Sequence, residues 1–346
     1  MRSVIMEEPG KVVVEDRPMP TLLESTDAVI KLAASCICGS DLWPYRGAQP
    51  VDHQQMGHEY IGEVIEVGDD VKTVKPGDFV VGSFCISCGE CATCQDGYPS
   101  RCLKAIAAGD GFIGMRSNGT QAEYARIPFA DGTLVKTPAY PTAEQIPHLM
   151  AASDVLGTGW YAADAAKAGP GKTIAVVGDG AVGLGAVIGA KQLGAEKIIA
   201  MSRNPQRQAL AREFGATDIV EARGEEGISQ VKDLTNGLGA HSVVEAVGTQ
   251  QSMEQAIGAC RPGGHVGFVG VSHDVNLPGG LLFGTEVHLH GGPAPVRRFL
   301  PDLIDRILSG RINPGKVFDL HLPLDEAAKG YRAMDERRAI KVLLKP

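Results

Sequence analysis

Near residue 150 the spacing of apolar residues changes. Before it they come in short β-branched or aromatic runs at 28–32, 60–67 and 79–84, divided by turn formers at Gly68-Asp69-Asp70 and Pro76-Gly77-Asp78. Runs this short and this often punctuated predict a β-rich domain, a small irregular barrel or sandwich. Beyond Ala151, strand-like runs at 173–177, 197–201, 218–220, 242–247, 265–269 and 286–290 alternate with helical stretches. Asn204-Pro205 starts one of these helices as an N-cap followed by proline, and Phe214-Gly215 stops it. Six strands alternating with helices predict an α/β fold with a doubly wound parallel sheet. Residues 310–346 break the alternation and are expected to return to the first domain. The expected organisation is therefore a β-rich domain at 1–150, completed by 297–346, and a doubly wound domain at 151–296.

Charge narrows the functional classes. Lys and Arg number 33 against 41 Asp and Glu, a formal net charge of −8, spread along the chain. A dedicated nucleic-acid binder needs a basic face to neutralise phosphates, so that class is excluded. The first eight residues turn acidic at Glu7-Glu8, which does not fit a secretory signal. The stretch from Gly180 to Ala190 is the longest apolar one, and it is too short to span a bilayer. A cytoplasmic protein with small-molecule partners and no membrane role is expected.

Cysteine usage points to metal. In Cys88-x2-Cys91-x2-Cys94-x7-Cys102, four thiolates can close a tetrahedral shell around Zn²⁺ and leave no position for water, so this lobe at about 85–103 reads as a structural site. Cys85 also lies at an x2 spacing and competes as a ligand; its other reading, preferred here, is a spare buried thiol, as for Cys36 and Cys260. Cys38-Gly39-Ser40-Asp41 and Gly57-His58-Glu59 bring a thiol and an imidazole beside strand-like segments. Both are good zinc ligands, and with a third ligand one coordination position stays open for chemistry. Taken alone either motif is weak, since a lone cysteine or histidine is more often a satisfied core residue. A third signal is Val176-Val177-Gly178-Asp179-Gly180-Ala181-Val182-Gly183, a glycine-rich turn between strand and helix. It suits the pyrophosphate of a dinucleotide, cradled by backbone N–H groups at the helix start.

Taken in order with Asp154-Val155-Leu156-Gly157-Thr158-Gly159, these motifs make the chain resemble the zinc-dependent medium-chain alcohol dehydrogenase family, in particular its bacterial NADP-type secondary-alcohol members. The resemblance implies a GroES-like catalytic domain and a Rossmann cofactor domain. It also implies two zinc ions per chain and assembly as a homodimer or homotetramer. Cys38, His58 and Asp154 would hold the catalytic zinc, with aspartate in place of the second cysteine of the Cys₂His pattern and Glu59 as an alternate ligand. Asp41 would accept the free N–H of His58, and Ser40 would contact the substrate alcohol and start its proton path. Trp43 stands where many members have a histidine further along that path. Thr158 and Val182 would buttress the nicotinamide, and Lys341 would reach the pyrophosphate.

The implied reaction interconverts an alcohol and its aldehyde or ketone by hydride transfer to or from NADP(H), with NAD(H) the second choice. An NAD site carries an acidic residue about 20 residues beyond the glycine motif; here the run 197–201 leads instead into Ser202-Arg203. A serine and a guanidinium suit a 2′-phosphate, and Arg207 and Arg223 stand nearby as further charge or as solvated side chains. A formaldehyde-oxidising or polyol dehydrogenase on the same fold is the alternative, as is a non-catalytic dinucleotide-binding protein. Trp43, Phe112 and Trp160 read as pocket walls or as core aromatics, and they do not specify the substrate.

Overall fold

The computed structural model describes residues 1–109 and 119–346. Its chain divides into two compact units, one made of Met1–Asp154 and Pro295–Pro346, the other of Val155–Ala294.

The first unit is β-rich. Strands β1 (Arg2–Glu8), β2 (Lys11–Asp16), β3 (Ala28–Ile37), β4 (Gln54–Gln55), β5 (Tyr60–Val67), β6 (Phe79–Gly82), β7 (Tyr124–Ile127) and β8 (Leu134–Lys136) come from its first segment. The second unit contributes β9 (Thr173–Val177), β10 (Lys197–Met201), β11 (Asp218–Val220), β12 (Ala240–Glu245), β13 (Cys260–Phe268) and β14 (His288–Gly291). Strands β15 (Phe318–Pro323) and β16 (Lys341–Lys345) belong to the first unit again. There β1 lies between β2 and β4 in a small sheet, while β15, β16, β3, β5, β6 and β8 follow one another in a second sheet, with β7 also paired to β3. The strand β16 runs antiparallel to β3, setting Val342 opposite Ile37 and Leu343 opposite Cys36. This ladder brings residues near 341 beside the turn that carries Cys38, more than 300 positions away in sequence. Alternate residues of these strands, among them Ile30, Leu32, Tyr60, Val64 and Val80, fill one buried cluster.

The second unit is a six-stranded parallel sheet in the order β11-β10-β9-β12-β13-β14. In that unit's own numbering the order is 3-2-1-4-5-6, with the reversal between β9 and β12, where such folds open a crevice for a ligand. Ala175, Val177, Ile199, Val243 and Val266 form its core on neighbouring strands. The helix Pro205–Phe214 begins as its sequence suggests: Asn204 Oδ1 accepts from the N–H groups of Gln206 (3.0 Å) and Arg207 (3.2 Å).

The units meet four residues later along the chain than the change of rhythm at 150 implied. Ser153 explains the difference. Its Oγ donates to the Gly82 carbonyl (2.7 Å) and accepts from the Tyr60 N–H (3.0 Å), which fastens 151–154 to the first unit's sheet. Likewise the second segment of that unit begins at Pro295 rather than 297.

Candidate active site and metal centres

In the lobe, Cys88, Cys91, Cys94 and Cys102 bring their sulfurs together. The Cys91 sulfur is 3.4 Å from that of Cys94 and 3.9 Å from that of Cys102. Zn–S bonds of about 2.3 Å set tetrahedral sulfurs roughly 3.8 Å apart, so the spacing fits a zinc ion. Backbone N–H groups point at the sulfurs, from Cys88 and Ala105 to Cys102 and from Cys91 to Cys88, which favours the thiolate form a metal needs. Cys85 lies outside this group; it is buried, and burial pushes its thiol well up. Cys36 is buried within β3, and Cys260 joins the second unit's core.

A second group gathers Cys38, His58, Glu59 and Asp154, all buried, with ligand atoms within 4.8 Å of one another. His58 Nε2 lies 3.5 Å from Asp154 Oδ2 and 4.0 Å from Glu59 Oε1, and the Cys38 sulfur lies 3.8 Å from Asp154 Oδ2. Cys38 follows β3, His58 and Glu59 lead into β5, and Asp154 follows the Ser153 anchor between the helices Gln145–Ala152 and Val155–Ala165, so three separate segments deliver the group. At Gly57 the backbone has φ +101° and passes against residues 120–121; a side chain there would strike the Gln121 backbone. Two bonds, Thr120 N–H to Gly57 O and Gln121 N–H to Met56 O, hold that crossing and aim His58 inward.

Asp41 faces the other ring nitrogen, with Oδ1 3.5 Å from His58 Nδ1. Its Oδ2 accepts from the Cys38 N–H (2.9 Å) and from Gln121 Nε2 (3.0 Å), and Tyr331 donates to Gln121 Oε1 (3.0 Å). Gln121 and Tyr331 are thus part of the site's support, although no motif marks them in the sequence. Burial pulls the His58 pKa down, but the Asp41 carboxylate, the Cys38 sulfur and Asp154 outweigh it and hold the imidazole well above its usual range. Glu59 Oε2 is buried with no hydrogen-bond partner among the described residues. The donor set, its spacing and this orphaned oxygen fit a zinc ion.

Lys341 is placed differently from the resemblance. Its ammonium is 1% exposed, on Glu59 Oε1 (2.7 Å) and the Ile37 carbonyl (3.2 Å), so its charge is used inside the first unit and not presented to a pyrophosphate. Lys341 opens β16 one residue before the Val342–Ile37 pair, which puts its side chain within reach of the Ile37 carbonyl. Ser40 is half-buried in the turn between Cys38 and Asp41, and Trp43 is half-buried in the following helix, Leu42–Tyr45.

In the second unit, Gly178, Asp179 and Gly180 follow β9, and Ala181, Val182 and Gly183 open the helix Ala181–Gln192. A side-chain carbon at Gly183 would run into the Gly178 carbonyl, whereas the space beside Gly180 is open. The turn therefore packs tightly on its own backbone and leaves a free approach, as a dinucleotide requires. Thr158 and Trp160 are buried in the helix Val155–Ala165, which packs on Ala181–Gln192, where Val182 is half-buried. Beyond β10, Ser202 is buried and Arg203 is exposed, while Arg207 is buried on the next helix and Arg223 is exposed at the start of the helix Gly224–Asp233. Phe112 lies outside the described residues.

With a GroES-type sheet, a cysteine lobe, a buried mixed-ligand group and a dinucleotide fold in one chain, comparison with known proteins becomes specific. Residues 24–139 match the alcohol dehydrogenase GroES-like domain and residues 181–307 match the zinc-binding dehydrogenase family. The chain belongs to the zinc-dependent medium-chain alcohol dehydrogenase family. It is 37% identical to zinc-type alcohol dehydrogenase B of Aspergillus flavus, over all of this chain and 81% of that protein. It is 31% identical to the glutathione-independent formaldehyde dehydrogenase of Pseudomonas aeruginosa, over all of this chain and 97% of that one. Among solved structures, the alcohol dehydrogenase TADH from Thermus sp. ATN1 superposes with a TM-score of 0.90 at 34% identity, covering 100% of this chain and 99% of that one. The family implies zinc and a nicotinamide dinucleotide, and alcohol oxidoreductase activity. Among the described residues, no helix is long and apolar enough to cross a membrane.

Proposed function

We propose that the chain interconverts a small alcohol and its aldehyde or ketone, with NADP(H) preferred over NAD(H). The observation that carries the reaction is the buried Cys38–His58–Glu59–Asp154 group, which a protein that only binds a dinucleotide has no reason to keep. A zinc ion bound there would supply a Lewis acid for the substrate oxygen, and a bound dinucleotide would take or give the hydride. Cys38, His58 and Asp154 would hold the metal, while Cys88, Cys91, Cys94 and Cys102 would hold the structural ion. Asp41, fixed by the Cys38 N–H and Gln121, keeps the His58 ring oriented. Lys341 donates to Glu59 Oε1 and holds it to one side, an alternate ligand in reserve. Ser40 Oγ accepts the proton of the substrate hydroxyl while its own hydroxyl proton passes on to water, which starts the path outward.

The cofactor reading rests on the end of β10, where Ser202-Arg203 stands in place of a carboxylate. A second reading, formaldehyde oxidation, is favoured by the 31% identity to the Pseudomonas aeruginosa protein over the whole chain. Cytoplasmic location and a dimeric or tetrameric assembly belong to the same proposal, on family resemblance. A screen of primary, secondary and polyol substrates and of formaldehyde, run with both cofactors and repeated after chelation, tests all of this. Turnover should appear with at least one alcohol, vanish with chelator, and show kcat/KM favouring NADP by about tenfold or more. Activity unchanged after complete removal of metal would overturn the catalytic reading, and equal use of both cofactors would overturn the cofactor reading.

A further inference from the structure

The second residue of the glycine turn is an acid, and it is not idle. Asp179 is 11% exposed at its side chain, and its Oδ2 accepts a hydrogen bond from Ser202 Oγ at 2.8 Å. Its Oδ1 lies 3.3 Å from Arg207 Nη1, which also donates to the Asp179 carbonyl at 3.3 Å. Arg207 is itself 9% exposed, and Ser202 Oγ further receives the Asn204 N–H at 3.3 Å. A carboxylate from the turn after β9 is thus bonded to two of the donors that surround the end of β10. Arg203 stays exposed and has no ion pair among the described residues.

We propose that Asp179 is a cofactor-selecting residue: it sets itself against the 2′-phosphate of NADP and in favour of the free 2′-hydroxyl of NAD. The inference rests on reading Ser202-Arg203 as a phosphate site. A ribose hydroxyl can donate to a carboxylate, while a phosphate cannot and repels it. To use Ser202 and Arg207, a 2′-phosphate must displace Asp179 from them. Asp179 and Arg207 cancel in charge, which leaves Arg203 as the net cation of the array. The glycine turn therefore supplies the carboxylate that β10 lacks, and discrimination between cofactors comes from a repulsive group as well as attractive ones. NADP is preferred by less than Ser202, Arg203 and Arg207 would give without it.

The test is direct binding to the zinc-loaded protein, by titration of NADPH and NADH fluorescence at fixed salt, with the parent, Asp179→Asn and Asp179→Ser. Both variants remove the charge, and asparagine keeps an oxygen for Ser202. The ratio of Kd for NADH to Kd for NADPH should rise about tenfold or more in both, chiefly because NADPH binds more tightly. Thermal midpoints should fall, because Arg207 loses its buried partner, but a purely structural tie would weaken the two cofactors equally. A ratio that stays within twofold of the parent, or NADPH binding that weakens selectively, overturns the inference. Failure of the underlying reading looks different: the parent would bind NADPH no more tightly than NADH, and Arg203→Ala would leave NADPH binding unchanged.

Discussion

The two candidate metal centres of the first unit are built in opposite ways. The lobe draws its four cysteines from one stretch of 15 residues, 88 to 102, and three of them are only half-buried. The proposed catalytic group draws Cys38, His58, Glu59 and Asp154 from across 117 residues, 38 to 154, and buries them all. A site made of near neighbours needs only tight turns, and like thiolates leave no ligand position free. A site made of distant segments depends on the whole sheet to set its geometry. That dependence is what allows unlike ligands, a reserve carboxylate and an open position to coexist. Closed and local goes with structure; open and dispersed goes with chemistry.

The sharpest way to break this contrast is to remove one sulfur from each. Cys38→Ser should abolish turnover, by about 10³-fold or more, with the chain still folded and its zinc content reduced from two ions to one. Cys102→Ser should also lose one ion, but its cost should fall on stability, with a thermal midpoint lower by roughly 10 °C and turnover largely kept at low temperature. Metal analysis and melting curves on both variants decide it. Equal losses of activity and stability in the pair would mean that the two groups are not separate in role.

A smaller effect is expected within the open site. Ser40→Ala should lower kcat by about 10²-fold at unchanged zinc content, the range of a positioned proton-transfer group. Near-normal turnover would assign the proton to water. Smaller again is the effect of the support behind His58. Gln121→Leu removes one of the two bonds at Asp41 Oδ2 and the partner of Tyr331, and should weaken zinc at the open site by roughly tenfold while the lobe keeps its own ion. Competition with a chelator of known affinity measures it, and an unchanged catalytic zinc affinity would show that the Cys38 N–H alone suffices to hold Asp41.

What the sequence revealed follows the same division. The lobe is legible from spacing, because four cysteines in register have few other uses. The doubly wound sheet is legible too: the runs at 173–177, 197–201 and 218–220 coincide with β9, β10 and β11, and Gly178 and Gly180 of the turn lie where β9 ends. Strands β12, β13 and β14 begin or end a few residues away from their apolar runs, because Ala240 and Cys260 extend the ladder through residues that carry no alternation of their own. Gln121, Tyr331 and the Lys341–Glu59 pair were not legible. Gln121 and Tyr331 are common residue types with no motif, and the pairing of Lys341 with Glu59 comes from strands far apart in sequence. Asp179 occupies a position that the glycine motif leaves free, so only its contacts reveal it.

The position of Lys341 on β16 also has a consequence in time. Cys38, His58 and Glu59 are made among the first 60 residues of this sequence, but the cation that neutralises buried Glu59 comes more than 280 residues later. Between the two, the chain must build all of Val155–Ala294, a unit with a core of its own. During synthesis at about 5–20 residues per second, the early ligands therefore wait for tens of seconds beside an unpaired carboxylate. The first unit cannot finish folding as it emerges. Cys36 on β3, and Cys38 just beyond it, gain their β16 neighbours only when the last residues of this sequence have been made.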